Sequence, residues 1–217
     1  MRALALIAWL AAEPIAVERP QPRPPEVEPG CKQILRTAGA RFVDWPVAPV
    51  PLENRILCQV PKGLILSRGA SAVQYQPPAR INCGFALRLA RFEKVLQEEA
   101  LKAFGKRAAR IEQLGTYNCR RMAAYPDMVS EHSFANAIDI ARIVMTGGRT
   151  VVVVERDWVA RDAASDSQLK PAALFLRRLT RRLFDEQIFS VVLTPSYDRH
   201  HRNHLHLDGA PYIVDGT

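Results

Sequence analysis

Histidine is scarce in this chain of 217 residues: there are five, and four of them fall between His200 and His206. Cysteine is scarcer, with Cys31, Cys58, Cys83 and Cys119 and no Cys-X-X-Cys pair. Gaps of 27, 25 and 36 positions between successive cysteines argue against a cytosolic four-cysteine zinc site. No internal repeat is present, and no arginine-rich run is interleaved with aromatics, as a nucleic-acid groove would need. Acidic residues are outnumbered, 22 against 30 Lys and Arg, for a formal net charge of +8. That balance suits an acidic partner: nucleic acid, anionic lipid or an anionic cell-wall polymer. Much of the positive charge, as in Arg177-Arg178 and Arg181-Arg182, reads as solvated helix faces, so charge alone decides little.

What the chain does contain divides it in three. Residues 1–13 have the build of an export signal, with Arg2 before the apolar run Ala3 to Leu10 and small residues after it. That run is too short to span a bilayer comfortably; the competing reading is a buried amino-terminal helix. Residues 14–29 hold six prolines and read as an extended linker that cannot form a core. Residues 30–217 form the folded domain. An even cysteine count behind an export signal implies two disulfides. Three connectivities are open, and pairing in sequence order, Cys31–Cys58 and Cys83–Cys119, is the one expected.

Within the domain, Phe85, Leu89, Phe92, Leu96 and Ala100 recur at helical spacing and Gly105 supplies a stop, which predicts a core-packing helix over 81–104. A strand is expected around 109–114 and an alternating one over 137–143. Gly147-Gly148 then marks a hairpin turn and 150–155 the returning strand. Pro171 opens a second amphipathic helix to about Asp185, with Ala173, Leu174, Leu176, Leu179 and Leu183 on its apolar side. Residues 189–193 read as a strand, 194–202 as a loop and 204–208 as the last strand. Two helices with mostly antiparallel strands make an α+β domain: a small sheet with flanking helices.

The chemistry gathers in His200-His-Arg-Asn-His-Leu-His-Leu-Asp208. As a strand, His204, His206 and Asp208 point one way and Leu205 and Leu207 the other. Two imidazoles one pleat apart can converge on a metal while the leucines anchor the strand in a core. Zinc wants N and O ligands and a catalytic site leaves one position for water, so His132 and Asp139 are candidates for the remaining places. Their separation of seven is odd, so the chain has to turn at Phe134–Asn136 for both to reach one ion. His200 reads as a solvated loop residue. Asp139 lies on a strand face with Ala137 and Ala141, a face left open for something to approach.

Three motifs then carry a resemblance: Gly-Thr-Tyr-Asn-Cys-Arg at 115–120, the Ser-Glu-His to Asp segment at 130–139, and His-Arg-Asn-His-Leu-His at 201–206. On these the chain resembles the bacterial extensin-like carboxy-terminal domain family. It also resembles relatives of that family, the penicillin-insensitive murein endopeptidases and the lysostaphin/D-Ala-D-Ala peptidase/hedgehog metallopeptidase superfamily. The resemblance implies a hedgehog/D-Ala-D-Ala peptidase-like zinc site in which His132, Asp139 and His206 hold Zn2+. It further implies His204 as general base or as the group that orients the attacking water, His201 as a further active-site histidine and Arg120 near the scissile carbonyl, with Arg121 as the other arginine able to point inward and a structural ion pair as the competing role for Arg120. Two departures stand out. Ala135 occupies a place where these motifs usually have glycine, and Asn203 stands where the dipeptidases carry a glutamate base, which disfavours dipeptidase chemistry.

The function these readings imply is an exported, periplasmic zinc peptidase acting on peptidoglycan peptide cross-links, with no nucleic-acid partner and no membrane span left after signal removal. The competing class is a non-catalytic, zinc-stabilised domain that binds the wall or a partner. A third, a basic nucleic-acid-binding protein, would require a cytosolic location.

Overall fold

A computed structural model of the protein describes residues 23–53 and 56–217. The expected export signal, and the linker up to residue 22, lie outside the described residues. The last stretch of the expected tether joins the fold instead of hanging free: Val27 packs against the core and the Glu28 carbonyl accepts from Lys62 Nζ at 3.2 Å.

The domain begins with helix α1 (Cys31–Thr37) and strands β1 (Arg41–Asp44), β2 (Val50–Glu53), β3 (Ile56–Cys58), β4 (Leu64–Arg68) and β5 (Gln74–Ile81). Next come helix α2 (Cys83–Phe104) and strands β6 (Ala108–Gly115), β7 (Ala137–Met145) and β8 (Val151–Val153). The chain closes with the short helix α3 (Val154–Asp157), helix α4 (Pro171–Asp185) and strands β9 (Val191–Leu193), β10 (Leu205–Asp208) and β11 (Val214–Gly216). The α+β class holds, but the sheet is not small. Nine strands run in the order β1-β4-β5-β6-β7-β10-β9-β11, with β8 also pairing β7, and β2-β3 form a separate ribbon. Most pairs are antiparallel; β5-β6 and β9-β11 are parallel.

Both long helices follow from the sequence pattern. Asn82 caps α2, its Oδ1 accepting from Phe85 N–H at 2.8 Å, and Gly105 ends it at φ 61°, a conformation glycine adopts without strain. Phe85, Leu89, Phe92, Leu96 and Ala100 are all fully buried, and Phe85 and Phe92 meet Phe189 with ring centroids 5.6 and 5.9 Å apart. In α4, Pro171 takes a first-turn position where its missing N–H costs nothing. Leu176, Leu179 and Leu183 join the same core, with Phe175; Ala173 is buried and Leu174 only half-buried. The strand expected at 150–155 stops at Val153, because Asp157 Oδ2 accepts from Val153 N–H (2.8 Å) and turns the chain into α3.

The expected disulfides are corrected. The bonds are Cys31–Cys83 and Cys58–Cys119. Cys83 opens α2, the helix against which α1 packs, so Cys31 meets it rather than Cys58. Cys58 ends β3 and ties that ribbon to the segment leaving β6. Pairing by nearness in sequence fails because the sheet intervenes between neighbours in the chain.

Leu205 and Leu207 of β10 lie in the main core with the helices. His204, His206 and Asp208 therefore face the opposite side of the sheet, and that side carries the site.

Candidate metal centre

Three local structures bring the donors together. His132 sits in a one-turn 3-10 helix, Glu131–Phe134, capped by Ser130, whose Oγ accepts from His132 N–H at 3.4 Å. The turn ends at Ala135 with φ 51°, a left-handed conformation that L residues pay strain to adopt. There Ala135 N–H returns to the His132 carbonyl (3.1 Å) and Asn136 N–H to that of Glu131 (3.0 Å). This is the turn that the odd His132–Asp139 spacing demands. It sends the chain into β7, where Asp139 is the direct antiparallel partner of His206 on β10. Partners across such a ladder share a face with their Cβ atoms about 5 Å apart.

The result is one compact donor group. One ligand atom from each of His132, Asp139 and His206 lies within 4.8 Å of the other two. His132 Nε2 is 3.3 Å from both His206 Nδ1 and Asp139 Oδ2, and His206 Nδ1 is 2.9 Å from Asp139 Oδ1. On the far side of the ring, His206 Nε2 is 2.9 Å from Asp208 Oδ2. Two imidazole nitrogens and a carboxylate oxygen crowded this closely fit a metal ion, and this N/O set is what a catalytic zinc takes. Burial alone would lower the His206 pKa, but hydrogen bonds to Asp139 and Asp208 carry it up to about 10. Burial alone would raise Asp139, and the charges and hydrogen bonds of His132 and His206 hold it well below the usual carboxylate range.

The other residues named from the sequence lie around this group. His204 turns Nε2 toward Asp139 Oδ1 (3.4 Å) while its Nδ1 meets Asn203 Oδ1 (2.9 Å). His201 is held by Asp198 (Nδ1–Oδ1 2.7 Å), with its ring centroid 5.2 Å from His204 and 5.7 Å from His206. Burial lowers the pKa of both His201 and His204, against the pull of Asp198 on the first and Asp139 on the second. Arg120 lines the cavity above the donors. Its N–H donates to Ser133 Oγ (2.9 Å), and its carbonyl accepts from Ser130 N–H (3.1 Å) and from Ser133 Oγ (2.8 Å). Arg121 turns away to pair with Glu53, 2.7 and 2.5 Å at its two contacts. His200 is exposed, with only its backbone tied to Asp198.

Sequence reasoning missed four contributors. Glu131 is buried beside His132 and accepts from Asn136 Nδ2 at 2.6 Å; burial pushes its pKa up to about 7. An acid directly before His132 was the available signal. Ser133 braces Arg120, as described. Tyr125 and Tyr197 form part of the wall, and no motif marks them. The cavity measures about 510 Å³. A second hollow of about 600 Å³, between α2 and α4, is lined by Lys102, Arg161 and arginines of α4. Arg181 and Arg182 there are paired with Asp185, Asp215, Glu98, Glu99 and Glu186, as a charged helix face would be. Arg177 corrects the expectation of a solvated face: it is buried and donates to the Val159, Ala160 and Ala164 carbonyls and to Asp166.

The sequence profile described as Extensin-like protein C-terminus matches residues 30–214. No curated protein and no solved structure matches the chain.

Proposed function

The chain belongs to the Extensin-like protein C-terminus family, and from that membership and the donor cluster we propose that it is an exported zinc-dependent peptidase hydrolysing peptidoglycan peptide cross-links. The observation that carries this reading is the convergence of His132, Asp139 and His206 at one cavity, with His204 beside them. The resemblance to penicillin-insensitive murein endopeptidases supplies the reaction class. His132 would hold zinc through Nε2, His206 through Nδ1 and Asp139 through its carboxylate. When bound, zinc supplies Lewis acidity, bringing the pKa of water to about 7 and polarising a peptide carbonyl.

The protein's own groups do the rest. Asp208 accepts the Nε2–H of His206, which leaves the Nδ1 lone pair directed at the cluster. Asn203 Oδ1 accepts from His204 Nδ1–H, leaving His204 Nε2 free to take a proton from the attacking water and return it to the departing amine. Arg120 offsets charge on the substrate oxygen. His201, fixed by Asp198, lines the same wall. Export is supported by the signal-like start and by the two disulfides.

The test is zinc content of the purified mature protein beside digestion of peptidoglycan with and without a chelator. One zinc per chain and chelator-sensitive peptide release are expected, and His204→Ala is expected to keep its zinc and lose hydrolysis. Full cleavage by that variant would remove His204 from its role. Zinc without cleavage would favour the non-catalytic, wall-binding reading, and no zinc would overturn both.

A further inference from the structure

A second, smaller apolar cluster sits on the metal face of the sheet, apart from the main core: Val191, Leu193 and Ala210, with Tyr212 and Val214 packed against them. Its position follows from register. Leu193 pairs with His206 and Val191 with Asp208, so both β9 side chains share the face of the donors and stand one strand away. Both line the cavity, as do Val214 of β11, Tyr212, and Met122 and Met128 from the segment after Cys119. Tyr212 Oη meets Met122 Sδ at 4.0 Å, which closes the far wall. At the mouth, Tyr125, Met128 and Tyr197 keep 54, 38 and 39% of their surface exposed, an apolar rim of the kind that marks a binding groove.

Charge completes the description. Among the described residues, Arg120 is the one lysine or arginine lining the cavity, against four carboxylates: Glu131, Asp139, Asp198 and Asp208. None of the six slot residues, Val191, Leu193, Met122, Met128, Tyr212 and Val214, carries a charge that would pair a carboxylate. We propose that this slot receives an uncharged, aliphatic side chain on the substrate residue whose carbonyl lies at the metal centre, and that it rejects an acidic one of the same length. This specificity rests on the proposed function, since it takes the metal centre as the place where the carbonyl is held.

The test is calorimetric binding of three hydroxamates to the zinc-loaded full chain: acetohydroxamate, butyrohydroxamate and the carboxylate-bearing succinyl monohydroxamate. All three offer the same metal-binding group and differ only in the tail. Two added methylenes entering an apolar slot are expected to tighten binding about ten-fold, and the succinyl compound is expected to bind no tighter than the acetyl one. In Leu193→Asn and in Val214→Asn, the latter on the more exposed edge strand, the gain is expected to shrink below about three-fold while acetohydroxamate affinity stays unchanged. Equal affinity of the acetyl and butyryl compounds for wild type overturns the slot while leaving the metal centre standing. So does a gain that survives both substitutions. Tighter binding of the succinyl compound overturns the uncharged specificity. A chain that takes up no zinc removes the functional reading and the slot together.

Discussion

At the scale of single residues, the site depends on what stands behind each donor. Asp208 is buried against the cavity; it accepts from His206 Nε2 and, through Oδ1, from Ala210 N–H at 3.0 Å. Asp208→Asn replaces a carboxylate by an amide that binds the ring more weakly and can present a donor to it. Zinc affinity is expected to fall about 10- to 100-fold, read by competition against a chelator of known strength. An unchanged affinity would mean that β10 alone orients the ring. Alternation along 204–208 marked His204 and His206 together as a local fact, whereas the set of His132, Asp139 and His206 was implied by the family resemblance, and the structure gathers those three with His204 beside them. Ala135 was legible as a problem, a residue with Cβ where a left-handed turn is needed, and its φ of 51° bears that out. Tyr125, Met128 and Tyr197 were not legible. They reach the cavity through loops whose course is set by tertiary contacts, and a lone aromatic in a loop carries no periodicity.

At the scale of elements, α2 is tied to the β4–β5 turn by a buried carboxylate. Glu93 accepts from Ser71 N–H (2.6 Å) and Tyr75 Oη (2.7 Å), and a Cβ on Gly69 would fall within its carboxylate group. Burial raises the Glu93 pKa from 4.5 to about 7, against the opposing effect of those two hydrogen bonds. The folded chain thus holds a proton there that the unfolded chain has already released above pH 4.5. Its contribution to stability is fully present below about 4.5 and is lost as pH rises toward 7, up to about 3 kcal/mol. Urea unfolding at pH 5 and pH 8 is expected to show a smaller loss in Glu93→Gln than in wild type; the loss that remains comes from Glu131, pushed up to about 7 by burial, and from His206, carried up to about 10. Equal pH dependence in both proteins would remove Glu93 as its source. The two long helices and β10 could be read from pattern because each buries one regular face. β5 could not. It carries Pro77-Pro78 inside an interior strand, which ordinarily argues against a strand at all. The register explains the tolerance: β5 pairs with β6 through Gln74–Gln76 and with β4 chiefly through Ala79–Ile81, so the prolines fall where it changes partners.

At the scale of the molecule, the disulfides bind α1 to α2 and the β2–β3 ribbon to the segment after β6, and their pairing was out of reach of the sequence because it records which elements become neighbours. Cys58–Cys119 closes a separation of 61 residues and anchors the segment that forms one wall of the cavity. Replacing both of its cysteines by serine is expected to cost about 2–5 kcal/mol in urea unfolding; no measurable change would mean that the Arg121–Glu53 pair and the neighbouring hydrogen bonds suffice. A further consequence lies in the two faces of β10. Leucines on one side and histidines on the other give a single four-residue strand two employers, the core beneath it and the cleft above. Slip its register by one position and Leu205 and Leu207 would trade places with His206 and Asp208. In a library of one-residue insertions and deletions across 203–209, foldedness and metal uptake would then vanish at the same clones. Natural selection has no way to vary the length of this segment for one purpose while sparing the other, and innovation at the cleft is left to the loops that face it.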